Sequence, residues 1–187
     1  IPKYYGTIKV ENEICIMIEY INGRLLSSID CSQFSVLEKV KIIVQLLSVI
    51  FNLHENNFIY RDMKPNNVII DQNQTAVVID FDRMVEDNCV YKENDDPQTI
   101  DFNSDFCAPE IESKNITNKC DIYSIGKMIN QIIPDMENNE YYSMIYPILK
   151  KCTDKKPANR PSASDLYYIF FIFFKNKTIS VDTLLDF

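Results

Sequence analysis

The run "YRDMKPNNVII" (residues 60–70) sets Arg61, Asp62, Lys64 and Asn67 close together and then enters aliphatic sequence. A second acidic run, "IDFDRM" (79–84), follows, with Asp80 and Asp82 embedded among apolar residues. Pro65 forbids a regular helix through the first motif, so its polar residues read as a loop between a long apolar helix and a strand. Loops held by rigid elements are where reactive side chains are usually placed. Asp62 can accept a proton from a hydroxyl, and Lys64, two residues on, puts a positive charge on the same side of an extended segment. Asn67 and Asp80 offer neutral and charged oxygens, the hard ligands that Mg²⁺ prefers. Together these residues suit phosphoryl transfer, where catalysis is mostly positioning and charge neutralisation.

Outward from the motif, "SVLEKVKIIVQLLSVIFNLHENN" opens with a Ser35…Glu38 capping box and predicts a helix to about Asn56, apolar on most sides and therefore central. Upstream, Tyr4–Val10 and Ile14–Glu19 read as two strands of a hairpin around a polar "ENE" turn, and "NGRLLSSID" as a turn and short helix. Downstream, "NVII" and "TAVVI" read as short strands joined by "DQNQ", and residues 82–104 as a long, acidic, irregular loop. Helices follow over "CDIYSIGKMINQII", stopped by Pro134, and "EYYSMIYPILKKC". A last helix, capped by Ser162 or Ser164, ends near Phe174.

The length of 187 residues suits one domain with a substantial core. A net charge of −8 argues against nucleic acid or an anionic membrane as the main partner, since both call for a basic surface. The six cysteines show no metal-ligand spacing and read as reduced thiols of an intracellular, cytoplasmic protein. The single histidine, His54, excludes any His-based triad and reads as structural. "LYYIFFIFF" (166–174) is too short to span a bilayer and reads as a buried helix.

In "YRDMKPNN", the chain resembles the catalytic loop of eukaryotic-type protein kinases, with Asp62 and Asn67 at the family's spacing. "DFD" (80–82) resembles the metal-binding DFG, "APE" (108–110) the end of the activation segment, and "DIYSIG" (121–126) the D-x-W-S-x-G helix start. Arg160 in "NRPS" resembles the family's C-terminal arginine, and "IMIEYI" (16–21) the last strand of the N-terminal lobe with the hinge. The resemblance implies a mainly α fold with small β elements: a kinase-like C-terminal lobe plus a β-hairpin left from a truncated N-terminal lobe. Its divisions would be hairpin and hinge (1–22), helical lobe (23–174) and tail (175–187). It further implies Asp62 as base or substrate-orienting carboxylate, Lys64 steadying the γ-phosphate, and Asn67 and Asp80 holding Mg²⁺. The backbone of Glu19 and Ile21 would bind the adenine of ATP, with Ile18 as gatekeeper and Ile69 as floor. Glu110 and Arg160 would form a buried ion pair, Asp121 would hold the catalytic-loop backbone, and Arg61 would answer a phosphorylated or acidic activation segment. The expected partner is a protein substrate, and the Lys64–Pro65 pair is similar to the Ser/Thr class.

Four departures accompany the resemblance. Tyr60 replaces the usual His, Asp82 replaces the DFG glycine, and Asn103 or Ser104 falls where the family has Thr. The helix usual between "INQII" and "EYYSMIYPIL" is shortened or absent. A chain starting at Ile1 lacks the Gly-rich loop and the ATP-anchoring Lys, so the expectation for these 187 residues alone is weak ATP binding and no transfer. The first alternative is a pseudokinase acting as a binding or scaffolding module. A small-molecule kinase, to which "IDFDR" is similar, is disfavoured by "APE" and "DIYSIG".

Overall fold

Ser35 and Glu38 form the reciprocal cap that the sequence predicts. The Glu38 N–H donates to Ser35 Oγ (3.3 Å) and the Ser35 N–H to Glu38 Oε2 (2.7 Å), opening helix α1 (Val36–Glu55). The computed structural model describes residues 1–11, 13–87, 105–113, 116–134 and 140–178. Along α1, Val40, Ile42, Ile43, Leu46, Leu47 and Ile50 are all buried, which makes it the central helix of the core. Helix α4 (Ala163–Thr178) lies against it, with Phe51 stacked on Tyr167 at 5.4 Å between ring centroids.

Helix α2 (Lys119–Ile132) contributes Ile122, Ile125, Met128 and Ile129 to the same core, and α3 (Glu140–Cys152) packs on it. The contact is close because residue 126 is glycine: a Cβ there would stand 2.5 Å from Cys152 Cβ. Ser162 and Asp165 cap α4 reciprocally, at 3.0 and 3.1 Å. The helix continues past the expected end at Phe174 to Thr178. It is also less uniformly buried than the sequence implies: Leu166, Phe170 and Phe173 face the core, whereas Tyr168 and Ile172 are exposed. No described helix is long and apolar enough to cross a membrane.

Among the described residues, three small antiparallel sheets accompany the helices. Strands β1 (Tyr4–Val10) and β2 (Glu13–Ile18) form the expected hairpin, with Ile8 opposite Cys15 and an irregularity between Tyr4 and Gly6. β5 (Val68–Asp71) is the middle strand between β3 (Gly23–Leu25) and β6 (Ala76–Val78). The strand β3 corrects the sequence reading of this stretch: Gly23–Leu25 is extended, and only Leu26–Ser28 makes a helical turn. Its partner is far off in sequence, so no local signal marks it as a strand. A further correction is the pair β4 (Phe58–Ile59) with β7 (Val85–Glu86), since β7 lies inside the segment read as irregular loop.

Candidate active site

Residues 60–67 are held in place from beneath by one carboxylate. Asp121, in the first turn of α2, is fully buried and accepts the backbone N–H of Tyr60 (2.9 Å) and of Arg61 (2.8 Å). Its Oδ2 also lies 2.9 Å from His54 Nε2 at the end of α1, so His54 has the structural role the sequence suggests. Arg61 takes a left-handed conformation (φ 69°), which turns successive N–H groups toward the same acceptor. Tyr60, where the kinase pattern has His, is buried; its hydroxyl donates to the Ile79 carbonyl and its ring meets Phe81 edge-on at 5.2 Å. Burial drives the phenol pKa far above its ordinary value, so Tyr60 is a neutral brace between the loop and the approach to Asp80.

Above this support the polar residues converge. Lys64 Nζ donates to Asp62 Oδ1 (2.9 Å). Asn67 Nδ2 donates to Asp62 Oδ2 (2.7 Å) and to the Asp62 carbonyl (2.9 Å). The turn Pro65–Asn67 makes this geometry possible by folding Asn67 back onto Asp62. Asp80 also adopts left-handed backbone (φ 63°), and its carboxyl pKa is raised, first by desolvation and then by contact with the Asp82 side chain. Lys64 acts in the opposite direction on Asp80, which marks the two as electrostatic neighbours. Asp62, Lys64, Asn67 and Asp80 are therefore gathered into one site.

One further cation stands there that the sequence reading passes over. Arg83 Nη1 lies 3.6 Å from Asp62 Oδ1, and the Arg83 carbonyl accepts the Arg61 Nε–H. The available signal was a basic residue directly after "DFD".

The residues that the resemblance assigns to adenine are arranged more openly. Ile18 ends β2 and is exposed. The Glu19 N–H donates to the Lys3 carbonyl (2.8 Å). Ile21 leads into Gly23, whose α-carbon lies so close to β5 that a Cβ would stand 2.6 Å from Ile69 Cγ2. The hinge and Ile69 thus meet through the β3–β5 pairing, in which Leu25 is opposite Ile69.

Glu110 and Arg160 meet inside the protein in a two-pronged pair, Nη1–Oε1 at 2.5 Å and Nη2–Oε2 at 2.8 Å. Residues 1–137 match the protein kinase domain family. The chain belongs to that family. A dual specificity protein kinase, zak2 of Dictyostelium discoideum, is 30% identical over 186 residues, covering 89% of this chain and 28% of that protein. The tyrosine protein-kinase src-1 of Caenorhabditis elegans is 28% identical over 206 residues, covering 92% and 38%. The serine/threonine-protein kinase TIO of Arabidopsis thaliana is 26% identical over 167 residues, covering 86% and 12%. The chain therefore spans well under half the length of these relatives.

Within the kinase domain, the donor chemistry of the site suits Mg²⁺. Asn67 spends its amide nitrogen on Asp62, which turns its amide oxygen away from that carboxylate, and Asp80 with Asp82 places two carboxyl groups side by side. Oxygen donors of this kind are what a small hard cation takes. Tyr91, Thr99, Asn103 and Ser104, with the acids Glu93, Asp95 and Asp96, lie outside the described residues.

Proposed function

We propose that these residues are the helical lobe, hinge and last N-terminal-lobe strands of a protein kinase that transfers the γ-phosphoryl group of ATP to serine or threonine hydroxyls of a protein. The observation that carries the reading is the hydrogen-bonded set Lys64–Asp62–Asn67 held on the Asp121 platform and facing Asp80. In transfer, the acceptor hydroxyl oxygen bonds to the γ-phosphorus. The bond from that phosphorus to the β–γ bridging oxygen breaks, and its electron pair leaves with ADP. Asp62 orients the hydroxyl and takes its proton, and Lys64 balances charge on the phosphoryl oxygens. Asn67 and Asp80 are the residues that would hold Mg²⁺, which neutralises the triphosphate when bound. The Glu19 carbonyl and the Ile21 backbone would receive the adenine, between Ile18 and Ile69. The serine/threonine class rests on Lys64–Pro65. An intracellular location is supported by the unbridged, buried thiols of Cys120 and Cys152.

The hairpin supports a longer nucleotide-binding lobe. Ile14 is 76% and Ile16 69% exposed, an apolar strand face of the kind that other structure normally covers. In a longer chain that carries the remaining strands, transfer to a serine/threonine peptide library is expected, and Asp62→Asn lowers it by about 10²–10⁴-fold. Undiminished transfer by Asp62→Asn overturns the assignment. The 187 residues alone are expected to show no measurable transfer.

A second reading, a nucleotide-binding or scaffolding module without transfer, is favoured by the contact of Asp82 with Asp80. Asp82 sets a second carboxylate where the kinase pattern has glycine, and so repels a triphosphate. Asp82→Gly in the longer chain separates the two: tighter Mg·ATP binding or faster turnover marks Asp82 as a handicap. Weaker Mg²⁺ binding would mark it as a ligand.

A further inference from the structure

The charge around Asp62 exceeds what positioning that carboxylate requires. Oδ2 is satisfied by Asn67 at 2.7 Å. Oδ1 faces two cations, Lys64 Nζ at 2.9 Å and Arg83 Nη1 at 3.6 Å. The Arg83 contact is too long for a tight hydrogen bond, so the guanidinium is near Asp62 without being consumed by it. The backbone that carries it is held from behind, because the Arg83 carbonyl accepts the Arg61 Nε–H and Arg61 is itself tied to Asp121 through its backbone. The Arg83 side chain is 23% exposed and that of Asp62 10%, so the guanidinium stands at the mouth of the site and the carboxylate at its floor.

The charge pattern of "DFDR" gives this cation a purpose. Asp82 adds a negative charge beside Asp80, on the side where the triphosphate and its metal would lie. Arg83, the next residue, adds a positive charge beside Asp62, on the side where the acceptor hydroxyl would lie. A site with Asp62, Asp80 and Asp82 facing Lys64 alone would repel an incoming phosphoryl group, and Arg83 offsets the added carboxylate. The planar guanidinium carries paired N–H donors whose spacing matches two oxygens of a phosphoryl group, which the point charge of Lys64 does not.

Resting on the kinase reading above, the geometry points to Arg83 as a second cation at the transfer point. It contacts Asp62 Oδ1 in the resting site and the transferred phosphoryl oxygens during the reaction. As the γ-phosphorus leaves the bridging oxygen for the acceptor oxygen, the electron pair goes to the bridging oxygen and the charge of the transferred group is spread over its three equatorial oxygens. Arg83 and Lys64 then hold that charge from the acceptor side, while the acceptor proton goes to Asp62. Arg83 would thus act on kcat more than on ATP affinity, since the phosphoryl group reaches its side of the site only as transfer proceeds.

The test uses the longer chain containing these residues, with Arg83→Gln, Arg83→Lys and Asp62→Asn compared in one series. Arg83→Gln is expected to lower kcat about 10–100-fold, below the loss from a fully water-excluded donor because Lys64 remains and Arg83 is partly solvated. KM for ATP should change less than about two-fold, and Arg83→Lys should restore only part of kcat, because it returns the charge without the paired donors. An unchanged kcat in Arg83→Gln overturns the inference, and a raised kcat overturns it too by showing the guanidinium to be a brake on Asp62. A loss confined to KM reassigns Arg83 to nucleotide binding and also overturns it. Asp62→Asn distinguishes the two levels: full activity in that variant sinks the kinase reading itself, whereas its inactivity beside a normal Arg83→Gln sinks only the role of Arg83. A binding measurement covers a chain without turnover. Inorganic phosphate titrated calorimetrically should bind the unsubstituted chain and Arg83→Lys, and bind Arg83→Gln at least about five-fold more weakly. Equal binding to all three, or none to any, overturns the inference.

Discussion

Replacing Arg160 by alanine should be among the most damaging single changes available in this chain. The Arg160 side chain is fully buried and makes more than the Glu110 pair: Nη1 donates to the Lys119 carbonyl (2.9 Å) and Nε to the Asp154 carbonyl (2.8 Å). Its guanidinium carbon also sits 4.9 Å from the centroid of the Tyr123 ring. Alanine removes all of these and leaves the Glu110 carboxylate, only 8% exposed, without its cation. Stranding one half of a buried pair costs roughly 3–5 kcal/mol, a large part of the total stability of an ordinary domain. With a urea slope of about 2 kcal/mol/M, the unfolding midpoint should fall by about 2 M. Glu110→Ala should cost less, because the guanidinium keeps the carbonyls of Lys119 and Asp154. The double variant completes a cycle in equilibrium urea unfolding followed by circular dichroism, with an expected coupling of about 2 kcal/mol. A loss below about 1 kcal/mol for Arg160→Ala is the cost of breaking an exposed pair and would refute the reasoning. So would a cycle that is additive to within about 0.5 kcal/mol.

Gly23→Ala should loosen the edge strand β3, because its Cβ would meet the Ile70 carbonyl oxygen at 2.3 Å and Asp71 Cα at 2.9 Å. A cost of roughly 1–3 kcal/mol and faster amide exchange across β3 and β5 are expected, and unchanged exchange would contradict the close approach. The Cys152 thiol is pushed up to about 12 by burial. At pH 8 a thiol with the ordinary pKa of 9.0 is about one-tenth thiolate, and Cys152 would be about one part in ten thousand. Iodoacetamide should therefore modify Cys152 only after unfolding, while half-buried Cys15 reacts in the folded chain; mass spectrometry of the native protein checks both. The sign follows: the folded state holds this proton more tightly, so the contribution is complete below the ordinary thiol pKa of 9.0. It is lost as pH rises toward 12.

What the sequence alone determined was whatever depends on short-range order. The capping box at Ser35, a serine cap on α4 at Ser162 or Ser164 (the structure uses Ser162), the apolar period of α1 and the hairpin β1–β2 are local, because each is specified by residues a few positions apart. The spacing from Asp62 to Asn67 is likewise local: a prolyl turn brings the amide back to the carboxylate that precedes it. Tertiary structure decided the rest. Gly23–Leu25 is a strand only because Ile69–Asp71 offers it an edge, and Val85–Glu86 only because Phe58–Ile59 does. Asp121 reads from sequence as one acid in a helix. Its function as the platform for Tyr60, Arg61 and His54 exists only once α1 and α2 have packed. Arg83 is the sharpest instance: in sequence it is an ordinary basic residue after an acidic triplet, and folding sets it 3.6 Å from the carboxylate on which the proposed chemistry turns. Contacts of that kind join residues many positions apart, and their cost in chain entropy is met by the shared core rather than by any local pattern.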